Sequence, residues 1–295
     1  MRIGGFELRD PVPECNAPYV VATLRPWIDV NNVGTLVLKE LSRRFGATDI
    51  GKLLRPGRFY DFTRYRPTVR IDDDGIRDMS IPNTTVHLAR REGQGDLLLL
   101  RLLEPHANAE FYIDSVLKLI KTFKATKYIF LGGMYDTVPH TRPLLVSGYG
   151  MGEQSLRDVR RAEVLPITYH GPSTIVNLIT KEVAESGIEA AVFIVSLPQY
   201  IQVENDLAGK VRLMEVLNLL YDIPISTEDF EKALEQRNFI NGRAENSPEI
   251  RALLPQLEIV YDMRTETAGL DESPRLTSEM EAMIWNIAGK DAGKA

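Results

Sequence analysis

From residue 96 onward, continuous apolar runs alternate with segments whose apolar residues recur every three or four positions. The runs cover 97–103, 127–131, 144–147, 165–169 and 190–197, and an earlier one lies at 18–24. Short runs without polar alternation predict strands buried on both faces. Helical spacing marks 33–45, where Asn31 or Asn32 can cap, then 109–124 and 173–186. Strands separated by helices predict right-handed crossovers and a mostly parallel sheet covered on both faces, an α/β fold. Residues 48–91 break the pattern. There 64–71 and 84–91 alternate polar and apolar around turn residues at 72–75, which reads as antiparallel pairing.

Beyond Pro198 the chain turns helical. Residues 206–221 keep an apolar stripe, and Ser226 or Thr227 can cap a helix to about 236. A further helix starts at Ser247-Pro248, with Pro255 placed to bend or split it. A surface linker at 269–274 leads to a terminal helix from Thr277 or Ser278 towards 286. The reading is one domain over 1–295, with an α/β core at 18–224 and a helical C-terminal extension at 225–295.

The polar residues concentrate after the strands of the stretch 127–177. The run 127–131 stops at Gly132-Gly133, and a loop carrying Asp136, His140 and Arg142 follows. A glycine-bearing loop occupies 147–152, and Gly171-Pro172-Ser173-Thr174 opens a helix. Open α/β sheets place ligands at such strand ends. The candidate crevice residues are therefore Gly132, Gly133, Asp136, His140, Arg142, His170, Gly171, Ser173 and Thr174. Arg142 can hold a phosphate or carboxylate, or pair with Glu104, Asp136 or Glu153. Ser173 can cap its helix, or the first amides can hold an anion. Gly132-Gly133 can turn the backbone sharply or admit a ligand. Near Asp61, a structural pair with Arg66 under aromatics is expected. His106, His140 and His170 each follow a strand and can converge on a metal, or be loop histidines without one; no metal is assigned.

Composition narrows the function. The chain has 295 residues with a formal net charge of −6, which argues against a nucleic-acid surface. Its one cysteine, Cys15, excludes an internal disulfide and a Cys-built zinc site, and points to the cytoplasm. No signal peptide and no membrane span is expected. Gly-x-Gly-x-x-Gly and Walker loops are missing after the first strand, and Ser173 lacks a nucleophile elbow. No cofactor is expected.

Taken in order, Trp27-x-Asp29, Phe59-Tyr60-Asp61-Phe62, Arg66-Pro67, Glu104-Pro105, Gly132-Gly133, Pro139-His140-Thr141-Arg142-Pro143, Gly171-Pro172-Ser173 and, towards the C-terminus, Glu258 with Tyr261-Asp262 form a series. The series resembles the proteasome assembly chaperone 2 family in its bacterial and archaeal branch. The resemblance implies a three-layer α/β/α sandwich of the nucleoside phosphorylase and nucleosidase type, and homo-oligomers with trimers among them. Members carry the ATP-grasp superfamily or carboxylate–amine ligase label, but no phosphate clamp with Mg²⁺ ligands can be placed here. Proteasome-binding relatives end in a hydrophobic residue, tyrosine and any residue; this chain ends Gly293-Lys294-Ala295, so tail docking is not expected. The preferred expectation is a chaperone-like, homo-oligomeric interaction protein without turnover. The alternative is a nucleoside-, nucleotide- or anion-binding protein or enzyme using the crevice.

Overall fold

The computed structural model describes residues 1–266 except Asp74, Ile76, Thr168 and His170. The linker expected at 269–274, the terminal helix and the tail lie outside the described residues. In chain order the elements begin with β1 (Arg2–Ile3), β2 (Phe6–Leu8), β3 (Tyr19–Arg25), α1 (Val33–Arg44), β4 (Thr48–Leu53), β5 (Thr68–Ile71), β6 (Arg77–Ser80), β7 (Thr85–Ala89) and β8 (Leu97–Leu103). There follow α2 (Ala109–Thr122), β9 (Lys127–Asp136), β10 (Val146–Met151), α3 (Glu153–Arg161), β11 (Leu165–Pro166), α4 (Ile175–Glu185) and β12 (Glu189–Pro198). Helices α5 (Leu207–Tyr221), α6 (Thr227–Glu245) and α7 (Pro248–Glu266) close the described chain. The fold is mixed α/β.

Two compact units are distinguished. The first comprises Met1–Trp27, Leu38–Phe130 and Gly171–Ala191; the second comprises Ile28–Val37, Leu131–His170 and the chain from Val192 onward. In the first unit the strand order is β1-β2-β4-β7-β8-β3-β9. Pairing is antiparallel from β1 to β8, and parallel between β8, β3 and β9, so the sheet is mixed. β3 and β8 match residue for residue, Tyr19 beside Leu97 through Arg25 beside Leu103. Both are nearly continuous apolar runs, as strands covered on two faces must be. Phe6, Leu53, Phe59, Leu97 and Tyr112 are among the fully buried side chains here.

The 48–91 region is antiparallel, but 64–71 does not pair with 84–91. β5 pairs with β6, Val69 opposite Met79, as a separate two-stranded sheet, while β7 pairs with β4 and β8. The turn explains the switch: Gly75, at φ +74°, donates its N–H to Asp72 O at 3.0 Å and folds the chain straight back. Asp61 does not pair with Arg66. Its carboxylate takes the Thr63 N–H at 2.8 Å and lies 3.9 Å from Arg64, while Arg66 Nε donates to Thr63 O.

In the second unit the strand order is β9-β12-β10-β11. β9 does not stop at Gly132-Gly133; it runs on to Asp136, and the Gly133 N–H donates to Ile28 O at 3.0 Å. These glycines interrupt the apolar run without interrupting the ladder, so they make no turn. β10 likewise extends through the expected glycine loop to Met151. A Cβ at Gly148 would lie 2.3 Å from Val192 O, so glycine there permits close approach of the neighbouring β12 backbone. Asn31 and Asn32 do not cap α1. Both adopt left-handed backbone, with φ +51° and +58°, which asparagine tolerates. The buried Asp29 carboxylate does that work, accepting the Thr35 N–H at 3.0 Å and the Thr35 hydroxyl. Asp206 and Ser226 cap α5 and α6 through Gly209 N at 2.7 Å and Asp229 N at 3.1 Å. α7 continues through Pro255 as one helix. Tyr200, Leu253 and Leu257 form one apolar cluster of this unit, and Val138, Leu145 and Tyr261 another.

Candidate functional site

Asp136 ends β9, and the polar loop beyond it is tied down on every side within the second unit. Its Oδ1 accepts the Thr137 N–H at 2.7 Å, and its Oδ2 accepts the Ser196 hydroxyl at 2.8 Å and Arg264 Nη1 at 3.0 Å. Four residues on, the buried His140 donates its backbone N–H to Tyr200 Oη at 2.8 Å, while Nδ1 lies 2.8 Å from the same oxygen. One proton lies between the phenol oxygen and Nδ1, and the imidazole tautomer sets which of the two donates it. Burial first, then the Arg237 charge, lowers the His140 pKa; burial raises that of Tyr200.

Arg142 pairs with neither Glu104, Asp136 nor Glu153. Its Nε and Nη2 meet the two oxygens of Asp262 at 3.0 and 2.9 Å, and Nη1 lies 3.4 Å from Glu258. Thr141 donates to Glu258, and Tyr261 Oη donates to Pro143 O at 2.8 Å. Spacings of three and four place Glu258, Tyr261 and Asp262 on one face of α7. That face therefore straps residues 141–143. The hydrogen bond from Arg142 holds the Asp262 carboxyl below the usual carboxylate range. An anion reaching Arg142 must displace a bidentate carboxylate already in place.

Gly171, Ser173 and Thr174 belong to the first unit. Ser173 is not the cap of α4: its Oγ accepts from Asn177 Nδ2 at 2.6 Å and donates to Thr174 O at 3.2 Å. Thr174 occupies the cap position without a side-chain bond. The first amide of α4, Ile175 N–H, donates instead to Glu104 Oε1 at 3.1 Å. The anion at this helix start is thus the protein's own glutamate. Burial raises the Glu104 pKa, an effect the Ile175 bond partly offsets.

His106 Nδ1 accepts the Asp61 N–H at 3.1 Å, and its ring lies 4.6 Å from that of Tyr65. His106 stands in the first unit and His140 in the second, and His170 lies outside the described residues. Among the described residues no three His, Cys, Asp or Glu side chains are grouped to hold a metal ion. Among them, too, no helix is long and apolar enough to cross a membrane. A groove of about 300 Å³ in the second unit, lined by Tyr200, Ile201, Val203, Phe239, Arg243 and Ile250, was not legible in the sequence. It forms where 200–203 approaches the α6–α7 turn, a meeting that no local pattern announces.

Comparison with known proteins gives a consistent placement. A PAC2 family protein from Streptomyces avermitilis superposes with a TM-score of 0.70 at 25% identity, covering 80% of this chain and 98% of its own. A Corynebacterium glutamicum protein of unknown function gives 0.79 at 21% identity, covering 90% and 100%. A proteasome-assembly chaperone homologue from Mycobacterium tuberculosis gives 0.71 at 22%, covering 79% and 98%. No curated protein matches the chain. The family model described as PAC2 family matches residues 23–238, well over half of the sequence, and the chain belongs to that family.

Proposed function

We propose that this protein is a chaperone-like assembly factor of the cytoplasm that works as a homo-oligomer, with a trimer among the expected forms, by binding protein surfaces without turnover. Family membership supports a chaperone-like role, and a structural neighbour is described as a proteasome-assembly chaperone homologue. The observation that carries the reading is the β5–β6 hairpin. Val69, Ile71, Met79 and Ile81 are 49%, 64%, 59% and 45% exposed. Val69 faces Met79 across the pair, and alternation puts Ile71 on the same face, while Thr68, Arg70, Asp78 and Ser80 take the other. A two-stranded sheet is marginal alone, and an apolar face on it marks a contact surface. Light scattering on the full chain at micromolar concentration tests the reading. A mass of several chains supports it, and a monomer that captures no protein partner defeats it.

The competing reading is binding of a nucleoside, nucleotide or anion by residues 132–142 and 170–174 in a nucleosidase-like sandwich. Its support is the position of Asp136, His140 and Arg142 at and just past the end of β9. Against it, each of those three side chains already has an internal partner. A thermal-shift screen of nucleosides, nucleotides and phosphate decides: saturable stabilisation lost in Arg142→Ala favours it, and a flat response discards it.

A further inference from the structure

β3 and β8 run parallel and in register, which sets Thr23 beside Arg101 and Arg25 beside Leu103. Register neighbours, and residues two apart on one strand, point to the same face. Thr23, Arg25 and Arg101 therefore share a face of the first unit's sheet. β7 adds Thr85 opposite Arg101, with His87 two residues further along that face. Two guanidinium groups share this face: among the described residues Arg101 donates from Nη2 to Ser42 Oγ at 3.3 Å, and no carboxylate pairs with it or with Arg25, the acid beside His87, Asp49, being paired with Arg9. The carboxylate that follows β8 in the chain, Glu104, accepts the Ile175 amide on Oε1, while its Oε2 is buried without a partner. Buried polar atoms are orphaned at the same place. Thr23 is wholly buried and its Oγ1 has no partner, nor do Arg101 Nε and His87 Nδ1. Burial, and then the Arg25 charge, lowers the Arg101 pKa, so the two cations feel each other.

Like charges held together beside unsatisfied donors require an explanation, and a small anion supplies one. Arginine presents a planar fork that matches phosphate oxygens in pairs, and parallel strands close their C-terminal ends around such groups. We propose that Arg25 and Arg101, at the C-terminal ends of β3 and β8, hold a phosphate group, with the Thr23 hydroxyl donating from beneath. This site shares no residue with the β9 loop and does not rest on the assembly reading. A chain that assembles but ignores phosphate loses this site alone.

The test is thermal melting of the full chain against inorganic phosphate up to a few millimolar, at ionic strength held constant with sodium chloride. The wild type is expected to show a saturating rise in Tm. Arg101→Met abolishes the rise while melting no lower than the wild type without phosphate, because it removes a like charge and keeps the stem's volume. Arg25→Met, on the exposed side chain, weakens the apparent affinity by about tenfold or more, and it decides alone should Arg101→Met not fold. No saturable rise in the wild type overturns the proposal. So does an equal, unsaturating rise in all three proteins, which is a general salt effect.

Discussion

Arg142 and Asp262 stand 120 residues apart in sequence and meet through two hydrogen bonds of 3.0 and 2.9 Å. The pair converts the loop after β9 from a free edge into a segment fastened to α7. If fastening is its purpose, Arg142→Ala and Asp262→Ala each lower Tm, and the double variant loses less than the sum of the singles. Amide exchange at 137–143 quickens in each. The pH dependence follows from the depressed Asp262 carboxyl. Its stabilisation is present above the unfolded pKa and is lost as pH falls through the lower folded value. The gap in Tm between wild type and Arg142→Ala therefore closes below about pH 4.

Glu104 makes the opposite prediction. Its carboxyl is raised by burial, so its stabilisation is present below the unfolded pKa and is lost as pH rises through the folded value. At pH 7 Glu104→Gln keeps an acceptor for Ile175 and sheds the buried charge, so it melts at or above the wild type. Glu104→Ala leaves the first amide of α4 unpaired and costs about 1 kcal/mol. Chemical denaturation of both variants at pH 7 reads the difference, and a Gln variant weaker than Ala removes the capping account.

Two glycines separate backbone crowding from backbone freedom. Gly148→Ala drives a Cβ to within 2.3 Å of Val192 O and is expected to destabilise by roughly 1–3 kcal/mol or more. Gly242→Ala, inside α6 with nothing within 4 Å of the new Cβ, is expected to stabilise by about 0.5–1 kcal/mol. Denaturant midpoints of the two variants check both signs together.

These glycines also show why the strands were only partly legible. The run 97–103, interrupted only by Arg101, predicts β8 to the residue, and 190–197 predicts β12 within one residue at each end, because a dense apolar run without glycine leaves one interpretation. β9 and β10 carry glycines inside the ladder, and local reading takes a glycine for a terminus. α3 escaped because its buried positions are Ser155 and Asp158, the latter bonded to Gln154 and Tyr221, so no apolar stripe exists to detect. At the candidate site, His140 and Arg142 were visible as loop residues with chemistry. Their partners Tyr200 and Asp262 are set by tertiary packing across 60 and 120 residues, which periodicity cannot report. Tyr261-Asp262 did stand in the motif series, which named the residues without placing them against the β9 loop.

The assembly reading rests on the apolar face of β5 and β6, and sedimentation of the full chain at micromolar concentration, with and without the paired change Val69→Asp and Met79→Asp, tests it most directly. These side chains are exposed, so the account predicts a variant that stays folded and a shift from several chains per particle to one. A wild type that sediments as a single chain, or an assembly indifferent to both charges, would contradict it.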